Sequence, residues 1–181
     1  MRAPLSWLRD YAPLDAPVDR LATHLSELGL VVEGIEEVGG GLRDVVVAQV
    51  LDIRPHPDAD RIRLVDVDPG DGGPLQIVCG AWNFSVGDLV PLAPVGAGLP
   101  GDFKITKRKM RGEVSNGMLC AARELDLPEP PGATDGLLIL EPGLAPPGTP
   151  LAQALGIEPD VVFDLDVSPN RPDALCMAGI A

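Results

Sequence analysis

Apolar residues near the start of the chain recur at helical spacing. Leu21, Leu25 and Leu28 lie three or four positions apart, so they fall on one face of a helix. Gly29 follows at the position where a helix commonly ends in a left-handed residue. The pattern therefore predicts a helix over residues 18–28.

Beyond Gly39-Gly40-Gly41 the apolar spacing changes to the alternation that is typical of strands. The predicted strands cover residues 45–53, 62–67, 75–79, 89–95, 114–119 and 136–140. Pro55-His56-Pro57 should end the pairing of the first strand, because proline has no N–H to donate. Pro91 and Pro94 should place the fourth strand at a sheet edge or a barrel corner. Many short strands separated by turn residues indicate a small closed or nearly closed β-barrel.

The two ends of the chain are each too short to form a separate core. After a connector rich in proline and glycine over 143–150, apolar residues alternate again and predict a strand over 161–167. We expect this strand to pair antiparallel with a strand over 31–38, which would join the two ends.

The expected fold is therefore mainly β with some α structure. Residues 1–39 and 151–181 are predicted to be the two halves of a small split α+β domain, and residues 40–150 the barrel inserted between them. The last helical pattern starts at Ala174 and reaches Ala181 without a stop signal, so we expect the second half to be truncated within its C-terminal helix.

Composition limits the classes of protein to which the chain can belong. Hydrophobic residues make up 45% and charged residues 23%, as in globular proteins. No apolar run approaches the roughly 20 residues that span a bilayer, and Arg9 and Asp10 come too early for a secretory signal. Three scattered cysteines are too few for a disulfide framework. We expect a cytoplasmic protein with no membrane partner.

The net charge of −13 argues against nucleic-acid binding over the whole surface, so any RNA contact must be local. One segment departs from this excess of negative charge. Five cations and no acid occur within residues 104–111, namely Lys104, Lys107, Arg108, Lys109 and Arg111. Such a run is typical both of a phosphate-binding patch and of a solvated surface, and composition alone does not decide between them.

Three other groups of residues could suggest metal binding, catalysis or dinucleotide binding, but the sequence favours structural roles for them. His56, Asp58 and Asp60 carry metal-ligand atoms, but the prolines beside His56 favour a tight turn, and no fourth ligand is evident. Cys120 has no histidine or other base placed near it in sequence, which favours a buried barrel cysteine over a nucleophile. No helix follows Gly96-Ala97-Gly98, so this is not a dinucleotide-binding motif.

Several barrel segments, in a fixed order, resemble the tRNA-binding domain of the oligonucleotide/oligosaccharide-binding fold. They are His56-Pro57-Asp58-Ala59-Asp60-Arg61-Ile62, Leu75-Gln76-Ile77-Val78-Cys79-Gly80-Ala81 with Asn83, Leu99-Pro100-Gly101, Lys109-Met110-Arg111-Gly112 and Ser115-Asn116-Gly117-Met118-Leu119-Cys120. Trp82 departs from the pattern, because many members carry proline there, and Met110 stands where they carry leucine.

The flanks resemble one family that contains this domain, the β subunits of bacterial phenylalanyl-tRNA synthetases. Pro4-Leu5-Ser6-Trp7-Leu8-Arg9-Asp10-Tyr11 looks like the opening of these subunits. Val167-Ser168-Pro169-Asn170-Arg171-Pro172-Asp173 looks like the segment that re-enters their first domain after the barrel.

The resemblance implies an RNA-associated piece of a larger enzyme. The family joins phenylalanine to its tRNA with ATP and Mg²⁺, as a class II α2β2 ligase whose active site lies in the α subunit and whose editing domain lies further along β. No cofactor or metal site is expected in this chain, and the chain alone should be inactive.

The resemblance also implies which residues face tRNA. The expected set is Lys104, Lys107, Arg108, Lys109 and Arg111, with Arg61, Arg63, Asn83, Ser115 and Asn116 as further contacts. Phe103 and Trp82 are candidates to stack on bases or, alternatively, to fill the barrel.

Two other functions are compatible with the sequence. A free-standing tRNA-binding protein or chaperone would need no enzyme partner, although the terminal motifs disfavour it. A barrel that binds protein would agree with the negative charge.

Overall fold

A computed structural model describes residues 1–42, 44–101, 103–129 and 135–181. The strands are β1 (Arg2–Pro4), β2 (Val31–Val38), β3 (Val46–His56), β4 (Ala59–Asp68), β5 (Leu75–Cys79), β6 (Leu89–Pro94), β7 (Gly98–Leu99), β8 (Phe103–Lys104), β9 (Arg108–Met110), β10 (Glu113–Ser115), β11 (Gly117–Leu119) and β12 (Asp160–Asp166). The helices are α1 (Leu5–Arg9), α2 (Val18–Glu27), α3 (Leu151–Ala154) and α4 (Met177–Ile180), and 3₁₀ turns cover Gly40–Leu42, Ala122–Leu125 and Pro172–Leu175.

The chain forms two compact units. One unit contains both chain ends, Met1–Gly40 and Pro159–Ala181, and the other contains Gly41–Glu158. None of the helices in the described residues is both long enough and apolar enough to cross a membrane.

The unit formed by the chain ends is built on a three-stranded antiparallel sheet in the order β1-β12-β2. Val161 lies opposite Glu37 and Phe163 opposite Ile35, so the predicted pairing between the two ends is confirmed. Phe163 and Leu165 are buried in a core that also includes Leu8 of α1 and Leu21 of α2. The sheet therefore supplies the shared core that neither end could form alone.

The larger unit is built on a five-stranded antiparallel sheet in the order β11-β6-β3-β4-β5. The sheet curls until its two edge strands approach each other. At this seam the Asn116 N–H donates to the Gln76 carbonyl at 3.0 Å and the Val78 N–H to the Ser115 hydroxyl at 3.0 Å. The result is a nearly closed barrel, consistent with the oligonucleotide/oligosaccharide-binding fold, and the expected fold class is confirmed.

Strand β3 is central to the barrel because both of its faces are covered near its start. Val45, just before the strand, and Val47 belong to one buried cluster, whereas Ala48 and Val50 belong to a second. This explains the nearly continuous apolar run that the sequence shows here.

The two proline predictions have different outcomes. Strand β3 runs through Pro55, opposite Arg63, and ends at His56, so the prediction that Pro55-His56-Pro57 ends its pairing is confirmed. Strand β6 contains Pro91 and Pro94 and is an interior strand between β11 and β3, so it is not at a sheet edge. The Pro91 carbonyl accepts a hydrogen bond from the Cys120 N–H at 3.0 Å.

Two other details of the expected organisation differ in the structure. Residues 136–140 form no strand among the described residues, and only an isolated bridge joins Leu140 to Leu89. Residues 151–158 lie with the barrel unit rather than with the C-terminal half of the split domain. The physical reason is Leu151, which is fully buried in the barrel core and donates its N–H to the Val45 carbonyl at 2.8 Å.

The turn between β4 and β5 packs closely against the 143–150 connector. A Cβ on Gly70 would lie 2.4 Å from the Pro147 carbonyl oxygen and 2.5 Å from Gly148 Cα. The Gly148 N–H donates to the Val47 carbonyl at 2.8 Å, so this neighbour is tied to β3.

We expect Gly70→Ala to destabilise the barrel more than Gly72→Ala does. Both glycines have positive φ, at +97° and +78°, so either substitution costs roughly 1–2 kcal/mol of backbone strain. A Cβ on Gly72 would have no atom within 4 Å, so only Gly70→Ala adds an overpacking penalty of about 1–3 kcal/mol. Urea denaturation followed by circular dichroism measures the difference, and equal effects would contradict the close approach.

Candidate nucleic-acid interface

The second half of the basic segment, defined here as residues 104–111, lies on a short hairpin. Strand β9 pairs with β10 so that Arg108 lies opposite Ser115 and Met110 opposite Glu113. Arg111 and Gly112 form the two-residue turn, with φ of +47° and +98°. Positive φ at both positions matches the twist of a tight hairpin, although it is unusual for arginine.

The tip of this hairpin is fastened to the end of β3. The Nε2 of His56 donates to the Met110 carbonyl at 3.1 Å, and its Nδ1 accepts from the Asp58 N–H at 3.1 Å. The Arg111 guanidinium donates to the Asp58 carbonyl at 3.2 Å. Both ring nitrogens of buried His56 are thus occupied by the chain itself, so His56 has a structural role here and not that of a metal ligand.

A groove of about 430 Å³ runs beside the basic segment. Its walls come from the end of β5 and residues 80–81, from residues of 103–110, from the seam at 115–119, and from the 3₁₀ turn with residues 135–137. We call this cleft the barrel groove.

Strand alternation separates the five cations. Arg108 and Met110 line the barrel groove together with Thr106, whereas Lys107 and Lys109, between them in sequence, do not. Lys104, Lys107 and Lys109 are exposed, and within the described part of the chain none of them forms an ion pair. The segment therefore presents one cation to the groove and the lysines to the surface outside it.

Two arginines of the expected set lie against aromatic rings. The Arg63 guanidinium carbon is 4.3 Å from the Trp82 ring centre and 4.7 Å from that of Phe84. The Arg108 guanidinium carbon is 5.6 Å from the Phe103 ring centre. Both arrangements are favourable cation–π contacts.

Ser115 of the expected set lies at the barrel seam. Its side chain is only 2% exposed, and its hydroxyl accepts from the Val78 N–H and donates to the Gly117 carbonyl at 2.8 Å. Ser115 therefore helps to close the barrel, and its expected RNA contact stays a prediction. The sequence pattern could not show this, because the side of the seam that the hydroxyl faces depends on barrel closure.

The two asparagines also have contacts within the barrel. The Asn83 amide donates to the Leu137 carbonyl and accepts from the Leu137 N–H, both at 2.9 Å. The Asn116 amide makes a longer contact with the Gln76 carbonyl, at 3.4 Å. Asn83 thus fixes the segment that carries Leu137.

Arg61 lies exposed on β4, so its expected RNA contact stays a prediction.

One pair at the groove was missed in the sequence. Arg123 and Asp135 line the groove and form an ion pair, with 2.5 Å between the guanidinium nitrogen and the carboxylate oxygen. This hydrogen bond raises the pKa of Arg123. The two residues are twelve positions apart in irregular segments, so no periodic pattern could have indicated their pairing.

The barrel cysteines are poor nucleophiles. Burial, with a smaller contribution from the Glu124 charge, raises the pKa of the Cys120 thiol to about 12. Burial also raises the pKa of Cys79. Since the thiolate is the reactive form, both thiols are inert at neutral pH, as expected of cysteines that fill a core.

The curled five-stranded sheet defines a barrel of the oligonucleotide/oligosaccharide-binding type. A family model described as a putative tRNA binding domain matches residues 45–150, most of the barrel unit. The chain belongs to this family.

Over its whole length the chain is also similar to phenylalanine–tRNA ligase β subunits. It is 50% identical to that of Anaeromyxobacter dehalogenans over 100% of this chain and 22% of that protein. It is 48% identical to that of Geobacter sulfurreducens over 97% of this chain and 21% of that protein. The chain thus spans about a fifth of the length of these curated relatives.

Solved structures offer a more distant likeness. The C-terminal domain of Plasmodium vivax p43 aligns with a TM-score of 0.43 and 18% identity, covering 61% of each chain.

We expect Ser115→Ala to destabilise the barrel by about 1–3 kcal/mol, because it leaves the Val78 N–H without its acceptor in a buried place. Asn116→Ala, one residue away, removes only the 3.4 Å contact and should cost less than about 0.5 kcal/mol. Chemical denaturation of the two variants compares these values. If the Ser115→Ala variant has the same free energy of unfolding as the unaltered chain, the seam does not depend on this hydroxyl.

Proposed function

We propose that this chain is the N-terminal part of a phenylalanine–tRNA ligase β subunit that works in the cytoplasm and provides auxiliary tRNA binding and scaffolding. The observation that carries the proposal is the 50% identity to such a subunit across the whole chain, including both segments outside the barrel. A free-standing tRNA-binding barrel would not need those segments.

The proposed RNA contact uses the basic segment and the groove beside it. Lys107 and Lys109 would meet phosphates on the outer surface, and Arg108 would meet the strand where it enters the groove. The net charge of −13 opposes the approach of RNA, so the affinity should be about 10⁻⁴ M or weaker and sensitive to salt.

Replacing Lys107, Arg108 and Lys109 together by Ala should abolish tRNA binding. About three phosphate contacts to a single strand predict a slope of roughly 2 in log K against log salt, at about 0.7 for each contact, and the variant should lose that slope. Its thermal stability should hardly change, because exposed charges contribute little to folding. Filter binding or anisotropy across a salt series measures affinity and slope.

A matched control replaces Arg2, Arg9 and Arg20, which lie in the other unit, by Ala. Both triple variants change the net charge from −13 to −16, by the loss of three cations, so a general charge effect would weaken binding equally. If the variant at 107–109 binds tRNA as well as the control does, the basic segment is not the RNA contact. The protein-binding interpretation of the barrel would then be favoured.

The proposal assigns the ligase chemistry to other parts of the enzyme. Among the described residues, no group of three or more His, Cys, Asp or Glu side chains is placed to hold a metal ion. ATP, Mg²⁺ and the class II active site would belong to an α subunit in an α2β2 assembly, and editing to a later part of β.

The chain alone should therefore show no phenylalanine-dependent exchange of pyrophosphate into ATP and no deacylation of mischarged tRNA. Preparations need rigorous removal of the host synthetase, with the host enzyme as positive control. Turnover that co-purifies with the chain, and that disappears when the chain is removed with an affinity tag, would overturn this assignment.

A further inference from the structure

Arg63 occupies an unusual place at one end of the barrel. It lies on the same face of β4 as Val65 and Val67, which are both fully buried, and opposite buried Cys79 of β5. Since alternate residues of a strand share a face, the Arg63 side chain starts from the interior face of the barrel. A cation at such a position needs partners that compensate for its burial.

Those partners hold the guanidinium in one place. Its Nη2 donates to the Ala81 carbonyl at 2.8 Å, and its flat group contacts the rings of Trp82 and Phe84. The Nε atom is buried and has no hydrogen-bond partner among the described residues. The ring contacts thus supply much of the stabilisation that hydrogen bonds do not.

The two rings differ in exposure. Phe84 is 5% exposed and belongs to the barrel core, whereas Trp82 remains 61% exposed although its ring packs against Arg63. Trp82 therefore has a large solvent-exposed aromatic surface, and the guanidinium that packs on its ring is itself held by the Ala81 carbonyl. Little conformational freedom would be lost when a planar ligand stacks on it.

The setting favours a nucleotide as that ligand. Ala81, next in the chain to Trp82, lines the barrel groove, and the lining also contains the Arg108–Phe103 pair. Exposed Arg61 lies two residues from Arg63. Aromatic surfaces combined with nearby cations fit a chain of planar bases linked by phosphates.

We propose that Trp82, held by Arg63, is a stacking platform for one unpaired RNA base beside the barrel groove. This inference rests on the proposed function, because it assumes that RNA reaches the barrel, and it adds that an unpaired base is recognised there. Stacking accepts any base, so the platform gives affinity for single-stranded RNA without reading its sequence.

The chain offers a direct optical test, since Trp7 and Trp82 are its two tryptophans. In a Trp7→Phe variant all tryptophan emission comes from Trp82. We expect single-stranded oligoadenylate to quench this emission, and an abasic oligomer with the same number of phosphates to bind without quenching it.

Substitution then separates stacking from charge. Trp82→Leu should weaken oligoadenylate binding by at least about fivefold, the lower end of the range for one stacked base, while Trp82→Phe should retain most of the affinity. Trp7→Leu, on the other unit, is the matched control and should bind as the unaltered chain does. The loss in Trp82→Leu should be the same at every salt concentration, whereas the variant at 107–109 should change the salt slope.

The outcomes distinguish the two proposals. If the oligomers bind with the expected salt slope but Trp82 emission is unchanged and Trp82→Leu binds normally, the platform is wrong and the RNA function stands. If neither tRNA nor the oligomers bind at all, both proposals fail. Equal quenching by the abasic oligomer would also overturn the platform, because it would show a response to charge and not to a base.

Discussion

The barrel seam is the constraint on which the candidate site depends. Residues 115 and 116, which lead into β11, bond to the edge strand β5 through the Ser115 hydroxyl and the Asn116 N–H. Strand β11 then pairs with β6, and a Cβ on Gly117 would lie 2.8 Å from the Ala93 carbonyl oxygen of β6, so these two backbones approach closely. The groove is bounded by this seam, and it exists only because the sheet closes there.

The position of the basic segment follows from the same closure. Strand β10 leads directly into the seam, and β9 pairs with β10, so the seam determines where the cations of β9 lie. The link from His56 and Arg111 to the end of β3 fastens the other end of the hairpin. One cation of the five thereby has a structural role, while Arg108 is directed to the groove.

Charge and stacking have complementary roles in such a surface. A chain with a net charge of −13 attracts RNA only where cations are concentrated, and this attraction weakens with salt. Stacking on an aromatic ring depends little on salt and acts only at contact. The two cation–aromatic pairs beside the groove, Arg63 with Trp82 and Arg108 with Phe103, place both kinds of interaction on the same barrel.

Local pattern determined much of this protein. Leucine spacing predicted α2, alternation predicted β5 and β12 to within a residue, and the change of period after Gly39-Gly40-Gly41 predicted the inserted barrel. These features depend on the two- and 3.6-residue periods of strands and helices, which are properties of consecutive residues. The ordered barrel motifs likewise indicated the tRNA-binding family.

Only the tertiary structure decided which side chains share a surface. Ser115 and Arg63 were expected from the sequence to contact RNA, and the structure shows contacts within the chain for both: the Ser115 hydroxyl bonds across the seam, and the Arg63 guanidinium packs on Trp82 and Phe84. Pro91 was predicted to lie at a sheet edge or a barrel corner, and the structure places it in an interior strand. Periodicity shows that neighbouring side chains point to opposite sides. Which side is inside depends on hydrogen bonds between residues far apart in the chain, such as Val78 with Ser115, and those form only when the barrel closes.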